Sequence, residues 1–359
     1  MKLNKTQEQI VKTTKSHVLV HSAAASGKTR VLTERVRYLL NGLKCPPSEI
    51  VVITFTNNAA NEMFKRLEHP EGLFIGTVHS YCNYLLRGNA IDTSNILKEE
   101  RFDDLFEEIK KNKECLKHIT HLIVDEAQDC TNPQFEFFEL INPDNYIYFY
   151  DIRQSIYGFA DADPYYLISK EKEPDTFIYQ MNQNYRNGYN ILEFAQNLLY
   201  SLGEDYKDNS IAMREEDGYV YHTKWDYSKI ADHMAEVDRY GDWFVLCRSN
   251  RELDLLGAMF TNRNVPYTTF KQADLSNDEL EKRLAADCIK LLTIHSSKGL
   301  ESKNVLVCVP PLFNDEEKRV KYVAATRAKD LLIWNKLPNR RKRGTRAKVP
   351  VIENWVNWE

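Results

Sequence analysis

Residues 18–42 read VLVHSAAASGKTRVLTERVRYLLNG, and three successive patterns within them indicate the fold class. The apolar run at 18–20 predicts a buried strand. Apolar residues then recur at helical spacing from Val31 until the Asn-Gly pair at 41–42, which predicts a helix that ends there. The strand and the helix are joined by SAAASGKT, residues 22–29. Strand, small-residue loop and helix in this order are the context that a phosphate-binding loop requires.

This loop has one glycine, Gly27, whereas a loop that wraps phosphates usually has several. We therefore expect Ala25 to take a positive φ, at a cost of about 1–2 kcal/mol for a residue with a Cβ. That cost is small beside the binding energy of a metal-bound triphosphate, so the alanines are compatible with ATP binding. Lys28 would then reach the β and γ phosphates, and Thr29 would contact Mg²⁺. Because small-residue turns before helices are common, an ordinary turn with an N-terminal anion site stays open at this point.

The composition is that of a globular protein with room for two domains: 359 residues, 43% hydrophobic, 28% charged and 11% aromatic. A net charge of −4 excludes a uniformly basic nucleic-acid binder, so any nucleic-acid surface would be local. The seven cysteines include no CxxC pair, which argues against a disulfide framework, a zinc site or an iron–sulfur cluster. We find no secretory signal and no apolar run of membrane-spanning length. We therefore expect a cytoplasmic protein, or one associated with the nucleoid, with no membrane partner.

Two α/β domains are predicted, at 1–172 and 173–338, joined near the charged, proline-containing segment 170–175. Short apolar runs that end in polar residues predict the strands of the first domain, at 50–53, 122–124 and 146–149. A second set of strands is predicted at 177–179, 243–246, 291–292 and 305–309, with a helix at 191–199 between its first two strands. A tail at 339–359 begins with the basic run 339–348, which is more often a solvated tail than a phosphate contact.

Two acids follow the strand predicted at 122–124. Asp125 suits Mg²⁺ coordination, and Glu126 suits orientation and deprotonation of an attacking water. In isolation such a pair is compatible with an ordinary solvated strand end. A phosphate loop upstream makes that interpretation improbable.

The strand predicted at 146–149 is also followed by polar and aromatic residues. Gln154 could sense the γ-phosphate, and Tyr157 and Phe159 could stack on bases. Aromatic residues in such a position usually belong to the core, so by themselves they favour packing.

Positive charge is required opposite the acids of a phosphoryl-transfer site, and the second domain offers Arg186 and Arg327. They lie in QNYR, residues 183–186, and in VAATRAK, residues 323–329. Either arginine alone would be interpreted as part of a surface ion pair.

Taken together, these segments resemble the UvrD/Rep/PcrA family of superfamily 1 DNA helicases. The resemblance extends over most of the chain. Besides the phosphate loop, the acids at 125–126 and the segment 150–159, it is carried by LNKTQ (3–7), VVITFTNNAANEM (51–63), IGTVHSYCNYLLR (75–87), QNYR (183–186), HSSKGLE (295–301) and YVAATRAKD (322–330).

The resemblance implies two RecA-like α/β domains of the P-loop NTPase class with parallel sheets, ATP at the cleft between them, and single-stranded DNA across both. It implies catalytic roles for Lys28, Asp125, Glu126, Gln154, Arg186 and Arg327, and a Mg²⁺ site at Thr29 and Asp125. The nucleotide contacts it implies are Gln7 on the adenine, Arg30 and Tyr185 beside the adenine, Glu301 on the ribose, and the loop residues Ser22, Ala23, Ala24, Ala25, Ser26, Gly27, Lys28 and Thr29. The implied DNA path consists of Phe55, Asn57, Thr77, His79, Tyr157, Phe159 and His295.

The chain also departs from the family, whose members carry two large inserted subdomains. The first insertion is reduced here to a small helical remnant at 83–118. The second is absent, because segments that resemble its two flanks, 264–270 and 290–301, lie close together in the sequence. Ala25 and Ser302 replace a usual glycine and a usual aromatic residue, and the pair at 152–153 replaces two acids.

The sequence therefore predicts an ATP-dependent single-stranded DNA translocase or helicase that moves 3′ to 5′. The first alternative is a DNA-dependent ATPase subunit that works with a partner such as a nuclease, because the missing subdomains contact duplex in the family. An enzyme of opposite polarity, or one that acts on RNA, is disfavoured by Lys298-Gly-Leu-Glu301, where a QGxE-type motif would be expected. A nucleic-acid binding module without hydrolysis is disfavoured by the presence of Lys28, Glu126, Arg186 and Arg327.

Overall fold

Two α/β units make up the chain in a computed structural model that describes residues 2–68, 70–271, 275–309 and 314–337. The first unit consists of Met1–Tyr185 with Asp208–Ser210, and the second of the other described residues. Each unit contains a six-stranded sheet whose strands pair in parallel. The predicted α/β class with two parallel sheets is confirmed.

The sheet of the first unit has the strand order β3-β2-β4-β5-β1-β6. Its strands are β1 (His17–Ser22), β2 (Ile50–Ile53), β3 (Phe74–Gly76), β4 (His121–Val124), β5 (Asn145–Tyr150) and β6 (Thr176–Met181). All four residues of β2 and the last three of β4 are buried. That burial explains why these strands appear in the sequence as continuous apolar runs and not as an alternation.

Eight α-helices belong to the described part of this unit. They are α1 (Lys5–Lys12), α2 (Lys28–Arg37), α3 (Asn57–Arg66), α4 (Val78–Gly88), α5 (Ser94–Lys98), α6 (Asp104–Lys111), α7 (Asn132–Ile141) and α8 (Pro164–Lys170). The apolar stripe of α2, including Val31 and Val36, packs on Val18 and Val20 of β1. A π-helical turn, Tyr38–Gly42, extends α2 to the predicted stop. The helical remnant predicted at 83–118 contains the end of α4, then α5 and α6.

Strand β6 lies in a different unit from the one that the sequence predicted. We expected residues 177–179 to begin the second domain, after a boundary at 172. Instead β6 pairs in parallel with β1, from His17 opposite Thr176 to Ser22 opposite Met181, and the first unit continues to Tyr185. Since β6 is an edge strand with mostly exposed or half-buried side chains, its sequence carries no sign of which sheet it joins.

The sheet of the second unit has the order β11-β12-β10-β13-β14-β9. Strand β7 (Gln183–Asn184) lies near the end of the first unit, and β8 (Ile211–Ala212) belongs to the second. The members of the second sheet are β9 (Tyr219–Thr223), β10 (Trp243–Cys247), β11 (Tyr267–Thr268), β12 (Ile289–Thr293), β13 (Ser302–Val309) and β14 (Ala328–Lys336). The helices are α9 (Tyr189–Leu199), α10 (Tyr227–Ala235), α11 (Asn250–Thr261), α12 (Asn277–Ala285) and α13 (Asp315–Ala325). The strands predicted at 243–246, 291–292 and 305–309 are β10, β12 and β13, whereas β9, β11 and β14 were not predicted.

Within the described ranges, no helix combines the length and the apolar character needed to cross a membrane. The predicted basic tail, 339–359, lies outside the described residues.

Candidate active site

The loop between β1 and α2 has the left-handed backbone that its sequence predicted. The φ angles are 59° at Ala25 and 81° at Gly27, so the expected positive φ at Ala25 is confirmed. A Cβ at Gly27 would lie 3.1 Å from Nε2 of Gln7. The backbone angle and this close approach both favour glycine at the position directly before α2.

Carbonyl groups of the loop are bound from outside it. Hydrogen bonds run from Asn184 Nδ2 to the Ala24 carbonyl at 3.1 Å, from the Tyr185 N–H to the Ala25 carbonyl at 3.1 Å, and from Gln7 Nε2 to the Ser26 carbonyl at 3.0 Å. No side chain caps the N-terminus of α2, so its first N–H groups and the positive end of the helix dipole are available to an anion. The buried hydroxyl of Ser26 also lacks a hydrogen-bond partner among the described residues.

Lys28 is paired with both acids at the end of β4. Its Nζ lies 2.9 Å from Asp125 Oδ1 and also contacts the Glu126 carboxylate. Burial lowers the pKa of Lys28, but the two carboxylates outweigh burial and the net shift is upward. Lys28 is therefore a cation, and the structure brings together the three residues that the sequence assigned to phosphate, metal and water.

Glu126 has a left-handed backbone, with φ 53° and ψ 41°. For a residue with a side chain this conformation costs about 1–3 kcal/mol and is typical of functional sites. The Glu126 carboxylate accepts a hydrogen bond from Nε2 of Gln128, whose Oε1 accepts the N–H of Asp151 at 2.9 Å. Gln128 is fully buried, and no role was predicted for it from the sequence.

Gln154, the predicted γ-phosphate sensor, is buried and donates to Asp151 Oδ2 at 2.8 Å. Together with the Gln128 contacts, this bond connects Gln154 to Glu126 through Asp151. Arg153, for which the resemblance implies an acid in the family, pairs with Asp151 at 2.5 Å and with Asp208 at 2.7 Å. The substitution is thus accommodated by a buried ion-pair network within the first unit.

Thr29 and Asp125 are the residues that the sequence assigned to Mg²⁺. Among the described residues, no group of three or more His, Cys, Asp or Glu side chains could hold a metal ion. Mg²⁺ usually takes only one or two carboxylates from the protein, with water and substrate phosphates as the other ligands. One carboxylate beside the first turn of α2 therefore fits a Mg²⁺ ion that is bound together with a phosphate ligand.

Gln7, the predicted adenine contact, is buried against the loop. Its Oε1 accepts the N–H of Asn4 at 3.0 Å, and its Nε2 donates to the Ser26 carbonyl at 3.0 Å. An amide oxygen accepts two hydrogen bonds and an amide NH₂ donates two, so each atom keeps one further bond to offer. Arg30 is half-buried in the first turn of α2.

Glu301 and Arg186 lie together in the second unit. Glu301 contacts Arg186 Nε and Lys329 Nζ, each at 2.6 Å. Burial raises the pKa of Glu301, but the two cations outweigh burial and lower that pKa to about 2. Arg186 also donates to the Thr326 carbonyl at 3.1 Å.

Arg327 is only 1% exposed in the second unit. Its guanidinium donates to the carbonyls of Val323 at 2.9 Å and Leu300 at 3.2 Å, and to the Thr326 hydroxyl at 3.1 Å. The structure therefore places this predicted catalytic arginine in the interior of its own unit, where its guanidinium N–H groups are hydrogen-bonded to protein oxygens.

The predicted DNA contacts of the first unit are in part brought together. Phe55 is 39% exposed, and its ring centroid lies 4.9 Å from that of Tyr157. Asn57 is exposed at the first position of α3. The side chain of Phe159 lies outside the described part of the chain.

Thr77 and His79, at the start of α4, have other contacts in this structure. The Thr77 hydroxyl caps α4 by accepting the N–H of Ser80 at 3.2 Å. The His79 ring lies 5.5 Å from Phe102 and 5.3 Å from Phe106, between centroids. The helical remnant that carries these two phenylalanines thus covers part of the predicted path.

His295 of the second unit lies beside Arg248, a residue that the sequence analysis did not single out. Arg248 Nη1 is 3.5 Å from His295 Nδ1, and its guanidinium also pairs with Glu317 at 2.9 Å. The side chain of Arg248 is 37% exposed. Its position in VLCRSN, directly after the buried strand β10, is the sequence signal that could have identified it.

Family models match both parts of the chain. The UvrD/REP helicase N-terminal domain matches residues 3–117 and 97–175, and the UvrD-like helicase C-terminal domain matches residues 268–337. The chain belongs to the UvrD-like helicase family. The resemblance predicted from the sequence is confirmed, and the two parallel sheets are those of two RecA-like P-loop domains.

Curated relatives of this UvrD-like chain include the ATP-dependent DNA helicases PcrA of two staphylococci. The Staphylococcus epidermidis protein is 27% identical over 371 residues, and the match covers 74% of this chain and 50% of the relative. The Staphylococcus aureus protein is 26% identical over 368 residues, with the same shares covered. The chain therefore spans about half the length of the curated relatives it matches. Since these alignments are longer than the chain itself, they contain positions at which this UvrD-like chain has no residue.

Proposed function

We propose that this UvrD-like chain hydrolyses ATP and uses the cycle to move along single-stranded DNA in the 3′ to 5′ direction. The observation that carries the proposal is the cluster of Lys28, Asp125 and Glu126 at the phosphate loop. Such a function would place the protein in the cytoplasm or at the nucleoid.

Nucleotide binding would rearrange this cluster. Lys28 would turn from the two carboxylates to the β and γ phosphates, and Thr29 and Asp125 would hold Mg²⁺. When bound, the metal would supply charge neutralisation at the phosphates and beside Asp125. Glu126 would then be free to orient and deprotonate the attacking water, with Gln128 holding its carboxylate.

Adenine selection is supported by the two further hydrogen bonds that the Gln7 amide can form, one accepted by Oε1 and one donated by Nε2. Adenine presents an N6–H donor and an N7 acceptor on one edge. The second acceptor position of Gln7 Oε1 and the second hydrogen of Nε2 match that pair. Guanine presents two acceptors on the same edge, so we propose that ATP is preferred to GTP.

Arg186 and Arg327 would stabilise the charge that develops on the transferred phosphoryl group. Arg186 would have to leave Glu301, which would then be available to the ribose. Arg327 would have to give up the protein oxygens that it binds, so its action requires a local change around Thr326.

Single-stranded DNA would be held by aromatic residues of the first unit and by the His295 region of the second. Base stacking on an aromatic side chain contributes about 1–3 kcal/mol per base, which is strong enough to hold a strand and weak enough to release it each cycle. The Phe55–Tyr157 pair and the exposed part of Arg248 support this assignment.

A second candidate is a DNA-dependent ATPase subunit that needs a partner protein, such as a nuclease, to open duplex. It is favoured by the alignment positions that this chain lacks and by the small size of the segment that contains α5 and α6. Translocation would survive the loss of duplex-contacting parts better than strand separation does.

The test is ATPase activity of the purified protein with and without single-stranded DNA, in parallel with unwinding of a 3′-tailed duplex. We expect strong stimulation by the bare strand and weak unwinding. Affinity for duplex should fall steeply with salt, because phosphate contacts would dominate it. Fast, processive unwinding by the monomer would contradict the second candidate. ATPase activity that single-stranded DNA does not stimulate would contradict both candidates.

A further inference from the structure

Three polar side chains of the first unit form a closed ring of hydrogen bonds. Asn4 Nδ2 donates to Gln183 Oε1 at 2.7 Å and to the Tyr185 hydroxyl at 3.0 Å. The Tyr185 hydroxyl donates in turn to Gln183 Oε1 at 2.5 Å. The two hydrogens of the Asn4 amide and the phenolic hydrogen account for all three bonds, so the ring is chemically consistent.

Asn4 also belongs to a second set of hydrogen bonds, at the start of α1. Its Oδ1 accepts the N–H of Gln7 at 2.8 Å, and Gln7 Oε1 accepts the N–H of Asn4 at 3.0 Å. This reciprocal pair is a capping box. One amide side chain therefore holds Gln7 through its oxygen and Tyr185 through its nitrogen.

The ring restricts an aromatic side chain that lies next to the phosphate loop. The N–H of Tyr185 is bound to the Ala25 carbonyl, so its backbone is tied to the loop. A phenol attached only at its Cβ can still rotate about two torsions. A hydroxyl with two fixed partners removes that freedom before a ligand arrives, which lowers the entropic cost of stacking.

We propose that Asn4 and Gln183 are positioning residues for the nucleobase. They hold the ring of Tyr185 in the plane in which it stacks on a purine, while Asn4 fixes the helix end that carries Gln7. The ligand class is a purine nucleoside triphosphate, and Asn4 links the two side chains that read its base. This inference rests on the proposed binding of ATP at the phosphate loop.

The experiment separates base positioning from helix capping. Asn4→Ser keeps an oxygen that can accept the N–H of Gln7, since serine caps helices about as well as asparagine. It removes the Nδ2 group that donates to Gln183 and Tyr185. Tyr185→Phe keeps the ring and removes the hydroxyl. Asp226→Ser is the matched control, since it changes an N-cap of the same kind at the start of α10.

Two ligands are compared on each variant: Mg–ATP and Mg–tripolyphosphate, which has the phosphates but no base. We expect Asn4→Ser and Tyr185→Phe each to weaken ATP binding and raise its KM by about 2- to 10-fold, the usual value of a hydrogen bond, with kcat unchanged. Tripolyphosphate should bind these variants and the parent equally. The loss of ATP affinity in the double variant should be smaller than the product of the two single losses, because the bond between Asn4 and Tyr185 is removed by both changes.

Parental ATP affinity in both single variants would overturn the proposal. So would a parallel loss of ATP and tripolyphosphate binding, which would indicate a general disturbance of the loop. If Asn4→Ser fails to fold, Gln183→Met breaks the same ring from the other side and is expected to give the same selective loss. A parent protein that binds neither ligand would overturn the proposed function as well, so the two failures are distinguishable.

Discussion

Lys28 and Asp125 form an ion pair in which Nζ of the lysine lies 2.9 Å from Oδ1 of the aspartate. The pair joins the first residue of α2 to the end of β4, and both side chains are largely buried. A buried charge that loses its partner is strongly destabilising. A ligand that draws Lys28 away must therefore bring another cation to Asp125, and a metal-bound triphosphate meets both requirements.

The first prediction separates nucleotide binding from hydrolysis. Lys28→Ala should abolish detectable ATP binding, because it removes the phosphate contact and leaves two acids unpaired. Glu126→Gln keeps the shape of the side chain and should bind ATP while it loses at least about 100-fold in turnover, as expected for removal of a general base. Equilibrium binding and steady-state hydrolysis check both. Turnover by Glu126→Gln within tenfold of the parent would exclude Glu126 as the base.

The second prediction concerns the arginines of the second unit. Arg186→Ala or Arg327→Ala should slow hydrolysis by about 10³-fold or more, by analogy with arginine fingers, and should change ATP affinity far less. Arg263→Ala, which removes a guanidinium paired with Asp232 on the surface, is the matched control. A variant that binds ATP poorly but turns over normally at saturation would show that the arginine stabilises the ground state and the transition state equally and has no specific role in the hydrolysis step. Thermal unfolding is needed beside the assay, because Arg327 is also part of the interior.

The third prediction tests base stacking. Phe55→Ala and Phe159→Ala should each weaken single-stranded DNA binding by about 1–3 kcal/mol, with little loss of fold stability. Fluorescence titration with a labelled oligonucleotide and the melting temperature give the two readouts. A collapse of the melting temperature with unchanged affinity per folded molecule would assign these rings to the core.

The fourth prediction follows from the pKa of Glu301, which lies at about 2 because the cations of Arg186 and Lys329 outweigh burial. A carboxyl whose pKa is lower in the folded state stabilises the fold above its unfolded pKa of about 4.3, and this contribution is lost as pH falls toward 2. Because the Glu301 side chain is 41% exposed, solvent screening reduces the contribution of its ion pairs to the free energy of unfolding. The parent should therefore be more stable than Glu301→Gln at neutral pH, and the difference should shrink as pH falls from about 4.5 to 2.

Urea unfolding of the parent and of Glu301→Gln at several pH values measures that difference. A constant difference between the two proteins across this range would show that the ion pairs do not shift the carboxyl. Glu8→Gln, on the exposed side of α1, serves as the comparison for a change of net charge.

Local sequence predicted the parts of this protein whose conformation depends on near neighbours. β1, the loop, and a helix that ends at the Asn-Gly pair were expected from the order of apolar, small and amphipathic segments, and the positive φ of Ala25 from the shortage of glycine. The buried strands β2, β4 and β5 were predicted because strands that are covered on both faces are apolar along their whole length.

Contacts between distant segments could not be predicted in the same way. Edge strand β6 has exposed side chains on both faces, so only its pairing with β1 shows that it belongs to the first unit. Arg327 belongs to a segment that predicted a catalytic cation, yet one of its N–H groups is bound to the Leu300 carbonyl, 27 positions earlier in the chain, which only the tertiary fold brings within reach. Asn4 and Tyr185 are 181 positions apart and share one hydrogen bond. The local sequence determines a residue's backbone preference and how many hydrogen bonds its side chain can donate or accept. Which residue forms those hydrogen bonds with it is decided by the tertiary fold.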